Sequence, residues 1–176
     1  MTSGANALVG FELKKISPDG IPHALEKAER YRLLNDPQQA ESICHDILAV
    51  DADNQIALRV LILSLTDQFT ASAGGNAQDA RRQISKLTDE YERAYYTGLV
   101  YERETRAYLE RKNVVRSAAY DGFRHAMEWY ERAEELHRAS PGAGTVDAVL
   151  RWNSCVRAIE RERLEPAPDE RELPLE

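Results

Sequence analysis

Residues 21–54 read IPHALEKAERYRLLNDPQQAESICHDILAVDADN, a stretch with the punctuation of a helix pair. Pro22 suits the first turn of a helix, where an N–H would have no partner to lose. Ala24, Ala28, Tyr31 and Leu34 recur at helical spacing, with Leu25 beside Ala28, so the pattern predicts a helix over about 22–34. Asn35-Asp36-Pro37 breaks it. Asp36 is placed to cap a second helix whose first position is Pro37. Ala40, Ile43, Cys44, Ile47 and Leu48 give that helix one apolar face as far as about Val50. Asp51-Ala52-Asp53-Asn54 ends it and caps a third.

The third helix, about 55–69, carries Ile56, Leu58, Val60, Leu61, Ile62, Leu63 and Leu65. Apolar residues on every side predict burial on more than one side. Residues 70–76, TASAGGN, form a loop, with Asn76 as a cap for the fourth helix. By pattern alone 77–112 is one helix; a break near Thr88-Asp89 is preferred, giving helices of about 77–87 and 89–112. A sixth helix covers about 114–138 and stops at Ser140-Pro141-Gly142-Ala143-Gly144. Thr145 caps a last helix to about Leu164. Residues 165–176, EPAPDERELPLE, are an acidic Pro-rich tail. Residues 1–20 are an N-terminal arm ending in the turn Ser17-Pro18-Asp19-Gly20. No segment alternates with period two, so no sheet is expected. The chain is predicted to be all-α, with one helical domain at 21–164.

The spacing over 21–54 resembles a single tetratricopeptide repeat, a helix pair of roughly 34 residues. Ala28 matches the small residue of the first helix, Tyr31 the aromatic one turn later, and Ala40 the small residue of the second helix. Departures are Ala24 where Trp is common, Lys27 where Leu is common, Cys44 for an aromatic, Ile47 for alanine and Asp51-Ala52 for Asp-Pro. A distorted second copy starts at Gln55, with Leu58, Leu61, Ile62 and Leu65, then Ala80, Ile84 and Leu87 after the Gly-rich loop. A third has Gly98 and Tyr101 in its first helix and Ala119, Phe123 and Ala126 in its second. Gly98 inside a helix costs about 1 kcal/mol relative to Ala, and a close helix crossing is the natural compensation. The resemblance covers about 21–135. It implies antiparallel helix pairs stacked as a short right-handed superhelix. Residues 145–164, with Val149, Trp152, Val156 and Ile159 on one stripe, fit the polar capping helix such stacks need.

In that family the first helix of each pair lines the concave surface. The resemblance therefore implies partner-binding residues Leu25, Glu29 and Arg32 from the first pair, and Ile56, Arg59, Val60 and Leu63 from the second. The third supplies Tyr95, Tyr96, Leu99 and Arg103. Apolar and aromatic anchors with charges at the margin are the anatomy of a peptide groove. The same residues serve equally to pack against the arm, the tail or a second copy. Adaptors that grip a C-terminal carboxylate carry a Lys/Asn clamp on these helices; Leu25, Glu29 and Val60 occupy those sites here, which argues against that sub-family.

Composition narrows the classes further. A chain of 176 residues with formal net charge −7 lacks the Lys/Arg surplus of a general nucleic-acid binder. No apolar run approaches the ~18 residues of a membrane span, and MTSGANALVGFELKK has no basic leader region. Cys44 and Cys155 read as reduced core residues of a cytoplasmic protein. Glu134-Glu135-Leu136-His137 is a lone E-x-x-H, where a di-iron bundle needs two. His23, His45, His125 and His137 show no zinc spacing, and Gly74-Gly75 lacks the Lys-Ser/Thr of a phosphate loop. The expectation is no catalytic centre, no metal and no cofactor. The leading reading is an adaptor or chaperone-like module that binds a peptide or helix of another protein. Size, charge and repeat number also resemble the small acidic three-repeat chaperones of type III secretion. A self-associating subunit, closed as a homodimer, is the second reading, and a metal-dependent helical enzyme a remote third.

Overall fold

The computed structural model describes residues 11–70, 75–139 and 146–168, residues 75 and 76 by their backbone alone. The described residues form helices and connections, with no strand. After a 3-10 turn at Pro18–Gly20 come α1 (Ile21–Leu33), α2 (Pro37–Leu48), α3 (Gln55–Asp67), α4 (Gly75–Ile84), α5 (Glu90–Leu109), α6 (Arg116–Ala139) and α7 (Asp147–Glu162). Residues 1–10 of the N-terminal arm, most of the predicted Gly-rich loop and residues 169–176 of the tail lie outside the described residues.

Side-chain chemistry sets the helix ends. Asn35 takes the left-handed conformation (φ 61°), which Asn tolerates well. That lets the Asp36 N–H reach back to the Tyr31 carbonyl at 2.9 Å, closing α1. The Asp36 side chain then accepts the Gln39 N–H at 3.2 Å and opens α2. One residue thus ends one helix and starts the next. Asn54 caps α3 by accepting the Ala57 N–H at 3.0 Å, and Asp89 caps α5 by accepting the Glu92 N–H at 2.9 Å. This second cap is why 77–112 is two helices with a break at Thr88-Asp89. Two expected caps differ. α4 already begins at Gly75, so Asn76 lies inside its first turn. The residue before α7 is Val146, which has no capping group, while Thr145 lies outside the described residues.

Successive helices pack on one another, and α1, α3, α5 and α7 also touch in turn. The side-chain pairs give the directions. Arg59 meets Glu92 and Asp67 meets Arg103, so α3 and α5 run parallel. Glu102 meets Arg151 and Arg106 meets Ser154, so α7 runs parallel to α5. Tyr91 lies against His137 and Tyr101 against His125, so α6 runs back along α5.

α3 has neighbours in α1, α2, α4 and α5, which accounts for its all-round apolarity. Its Leu58, Leu61, Ile62 and Leu65 join Ala28, Cys44, Ala80, Ile84 and Leu87 in a first core. Ala119, Phe123, Ala126, Tyr130, Cys155 and Ala158 form a second between α5, α6 and α7. Both cysteines are buried free thiols, and burial raises each thiol pKa to about 12.

The expected close crossing at Gly98 is present. A Cβ built there would lie 2.9 Å from Tyr130 Cε1 and 3.1 Å from the Ala126 carbonyl oxygen. Gly122 makes a second close approach, since a Cβ there would run into Thr105 Oγ1. Two glycines, one on each helix, let the α5 and α6 backbones come together despite the helical cost of glycine.

Candidate partner-binding face

α3, α5 and α7 run parallel and so present equivalent flanks side by side, and α1 joins the same face where its Arg32 pairs with Asp67 of α3. α3 supplies its middle. Arg59 and Asp67 are the charged residues of an otherwise apolar and uncharged helix. Arg59 ion-pairs with Glu92 of α5 at 2.8 Å. Asp67 is shared: Arg32 of α1 donates from Nε to Oδ2 at 2.6 Å, and Arg103 of α5 donates to Oδ1. Arg103 also donates to Thr66 Oγ1 at 2.7 Å. One carboxylate therefore ties three helices together.

A second shared carboxylate lies next to it. Glu102 is completely buried. Its Oε2 accepts from the Tyr130 hydroxyl at 2.8 Å, and Oε1 accepts from Arg106 Nε at 3.0 Å. Arg151 of α7 stands 3.6 Å from the same Oε1. Arg106 goes on to donate to Ser154 Oγ at 2.9 Å and lies over the Phe123 ring, 5.5 Å from its centroid. Burial and then Glu102 push the Tyr130 phenol far above its ordinary range, so it stays a donor. Burial works against the charge of Arg151, but Glu102 and a hydrogen bond with Tyr95 outweigh it and hold its pKa above the usual value.

Aromatic rings of α5 lie beside these arginines, Tyr95 by Arg151 and Tyr96 by Arg59 and Arg32. Tyr95 and Tyr96 meet edge to face at 5.2 Å, and Tyr95 also lies 5.9 Å from Tyr130. Tyr96 is half-buried against the first core; burial first, then Glu92, raises its pKa to about 12.

Of the residues expected on this face, Arg32, Arg59, Tyr95, Tyr96 and Arg103 come together. Leu25 and Leu63 are half-buried, while Glu29 and Ile56 are exposed beside them. Val60 and Leu99 are corrected: they are 5% and 0% exposed and belong to the interior. α3 and α5 each have four helical neighbours, so most of their circumference is consumed by packing. Asp67, Glu92, Glu102, Tyr130 and Arg151 complete the face or its foundation and were missed. For Asp67 a signal existed, a charge in an apolar helix, and for Glu102 its spacing from Arg106; the pairings of Glu92, Tyr130 and Arg151 span distant stretches of chain and leave no local pattern. Elsewhere, Glu134 of the E-x-x-H pairs with Arg138, and His137 packs on Tyr91. No group of metal-ligating side chains of the kind that holds an ion occurs among the described residues.

A hollow of about 380 Å³ also opens between α4, α5 and α6, lined by Arg81, Ile84, Arg93, Trp129, Arg132 and Leu136. Its three arginines are matched one to one, Arg81 with Glu104, Arg93 with Glu90 and Arg132 with Glu135. No helix among the described residues is long and apolar enough to cross a membrane. No protein-family model, curated protein or solved structure matches this chain.

Proposed function

We propose that the chain is a protein-binding module of tetratricopeptide type, an adaptor or chaperone-like subunit that takes a segment of another protein on the face of α1, α3, α5 and α7. In this reading the helix pairs wind as a short right-handed superhelix, and that face is its concave side. One observation carries it. Parallel helices bring Arg32, Arg59, Leu63, Tyr95, Tyr96 and Arg103 from separate stretches of chain onto one partly exposed surface. Aromatic and arginine side chains are the residue types that dominate binding energy at interfaces.

The test is affinity capture from cell extract with wild type, Tyr96→Ala and Leu63→Asp, with circular dichroism to confirm unchanged helix content. Both variants are expected to lose the partners that wild type retains. Identical sets of captured proteins would overturn the reading.

Self-association is a second reading, favoured by a different surface. On α7 and the residue before it, Val146, Val149 and Leu150 are 60%, 40% and 58% exposed, an apolar strip at the end of the stack. Light scattering over a concentration series separates the two: a dimer abolished by Leu150→Asp supports self-association, and a monomer at all concentrations rules it out.

A further inference from the structure

The charge on the binding face is not balanced, and the imbalance is local. Five guanidiniums (Arg32, Arg59, Arg103, Arg106 and Arg151) stand against four carboxylates of the face and its foundation, Glu29, Asp67, Glu92 and Glu102, the last three of which pair with them. Asp67 and Glu102 each divide themselves between two arginines. The chain as a whole has a formal net charge of −7, so the surplus runs against its overall balance. At physiological ionic strength charges farther than about 8 Å are largely screened, so a bound segment responds to the nearby arginines more than to the distant acidic surface.

The arginines also crowd one another. Arg103 has its pKa lowered, first by burial and then, against the pull of Asp67, by the like charges of Arg151 and Arg32. Water still reaches them: the side chains of Arg32, Arg59, Arg103 and Arg151 are 25%, 32%, 19% and 35% exposed. A carboxylate arriving between Arg103 and Arg151 would meet two guanidinium forks, each suited to paired hydrogen bonds. Tyr95 and Tyr96 lie beside that point and offer flat apolar surface for a neighbouring side chain. The outer hollow, with its arginines individually matched, has no such surplus.

We infer that the segment held on this face is an acidic stretch of a partner protein, with carboxylates seated along the row Arg32–Arg103–Arg151 and an apolar side chain on Tyr95 and Tyr96. This rests on the binding reading above and names the chemistry of its partner.

A random-peptide library displayed on phage, selected against the purified full chain, tests both levels. Selected peptides are expected to be rich in Asp and Glu. They should lose affinity at least about tenfold to Arg32→Gln/Arg103→Gln and weaken steeply as salt is raised. Neutral or basic peptides that lose affinity to Tyr96→Ala but bind the arginine variant normally would overturn the acidic partner and keep the groove. No selected peptides, or peptides indifferent to all these variants, would overturn the groove itself. Single-stranded oligonucleotides competing better than the selected peptides would assign the arginines to nucleic acid and overturn the inference.

Discussion

The Tyr130 hydroxyl donates to Glu102 Oε2 at 2.8 Å, fastening α6 to α5 through a carboxylate with no exposure to water. Removing the donor and removing the carboxylate have different consequences. Tyr130→Phe leaves one buried oxygen short of a partner and is expected to cost about 1–3 kcal/mol. Glu102→Ala takes the shared carboxylate from Arg106 and Arg151 and the acceptor from the buried Tyr130 hydroxyl together, and is expected to cost more than Tyr130→Phe. Urea unfolding of both variants measures the order; a milder Glu102→Ala would show that the carboxylate does not anchor the cluster.

Gly122→Ala brings a methyl group into Thr105, whose hydroxyl is already committed to the Tyr101 carbonyl at 2.8 Å. Alanine is the better helix former by about 1 kcal/mol, but overpacking at a tight crossing costs about 1–3 kcal/mol. The substitution is expected to lower the thermal midpoint. Thr105→Ala in the same chain removes the obstructing atoms and should restore part of the loss. A double-mutant cycle that comes out additive would place the clash elsewhere.

Alkaline pH should loosen the fold. Cys44 and Cys155 are raised from 9.0 to about 12 and Tyr96 from 10.0 to about 12, in each case chiefly by burial. The folded pKa values exceed the unfolded ones, so the folded state favours the protonated forms. Their contribution is complete below about pH 9 and is lost as pH rises toward 12. Urea midpoints are expected to fall steadily above pH 9. By the same burial, a thiol reagent at pH 8 should leave both cysteines unmodified until denaturant is added; prompt reaction of the native protein would contradict it.

Asn54→Ala removes the acceptor that holds the Ala57 N–H at the start of α3 and is expected to cost about 1 kcal/mol. Asp89→Ala should cost a similar amount at α5, where the carboxylate also sits at the positive end of the helix dipole. Equilibrium unfolding measures each, and a loss within error of zero would mean that solvent caps these ends equally well.

The helices were legible in the sequence because their signals are local. Pro37 after Asp36, Asn54 before an apolar run and Asp89 after Thr88 each act within a few residues, and each starts a helix. Gly98 was legible for a related reason: glycine within a helix demands compensation, and Tyr130 and the Ala126 carbonyl supply it. The proposed binding face was legible only in outline. The resemblance to a repeat suggests which helix of a pair faces a partner, but not how far that helix is turned, so Val60 and Leu99 fell inside. The glutamates of α5 illustrate a second limit. Glu102 does pair four residues on with Arg106, as spacing suggests, yet Glu92 and Glu104 reach Arg59 and Arg81 on other helices. Intrahelical spacing cannot reveal a better partner that folding brings from elsewhere.

α5 has side chains in both cores: Val100, Ala107 and Tyr96 in the first, Ala94, Tyr95 and Tyr101 in the second. It is a party wall, with the α1–α4 half on one side and the α6–α7 half on the other. A segment bound across Tyr95 and Tyr96 would press on that wall from outside, so occupancy at the face would be felt as stiffness in both halves at once.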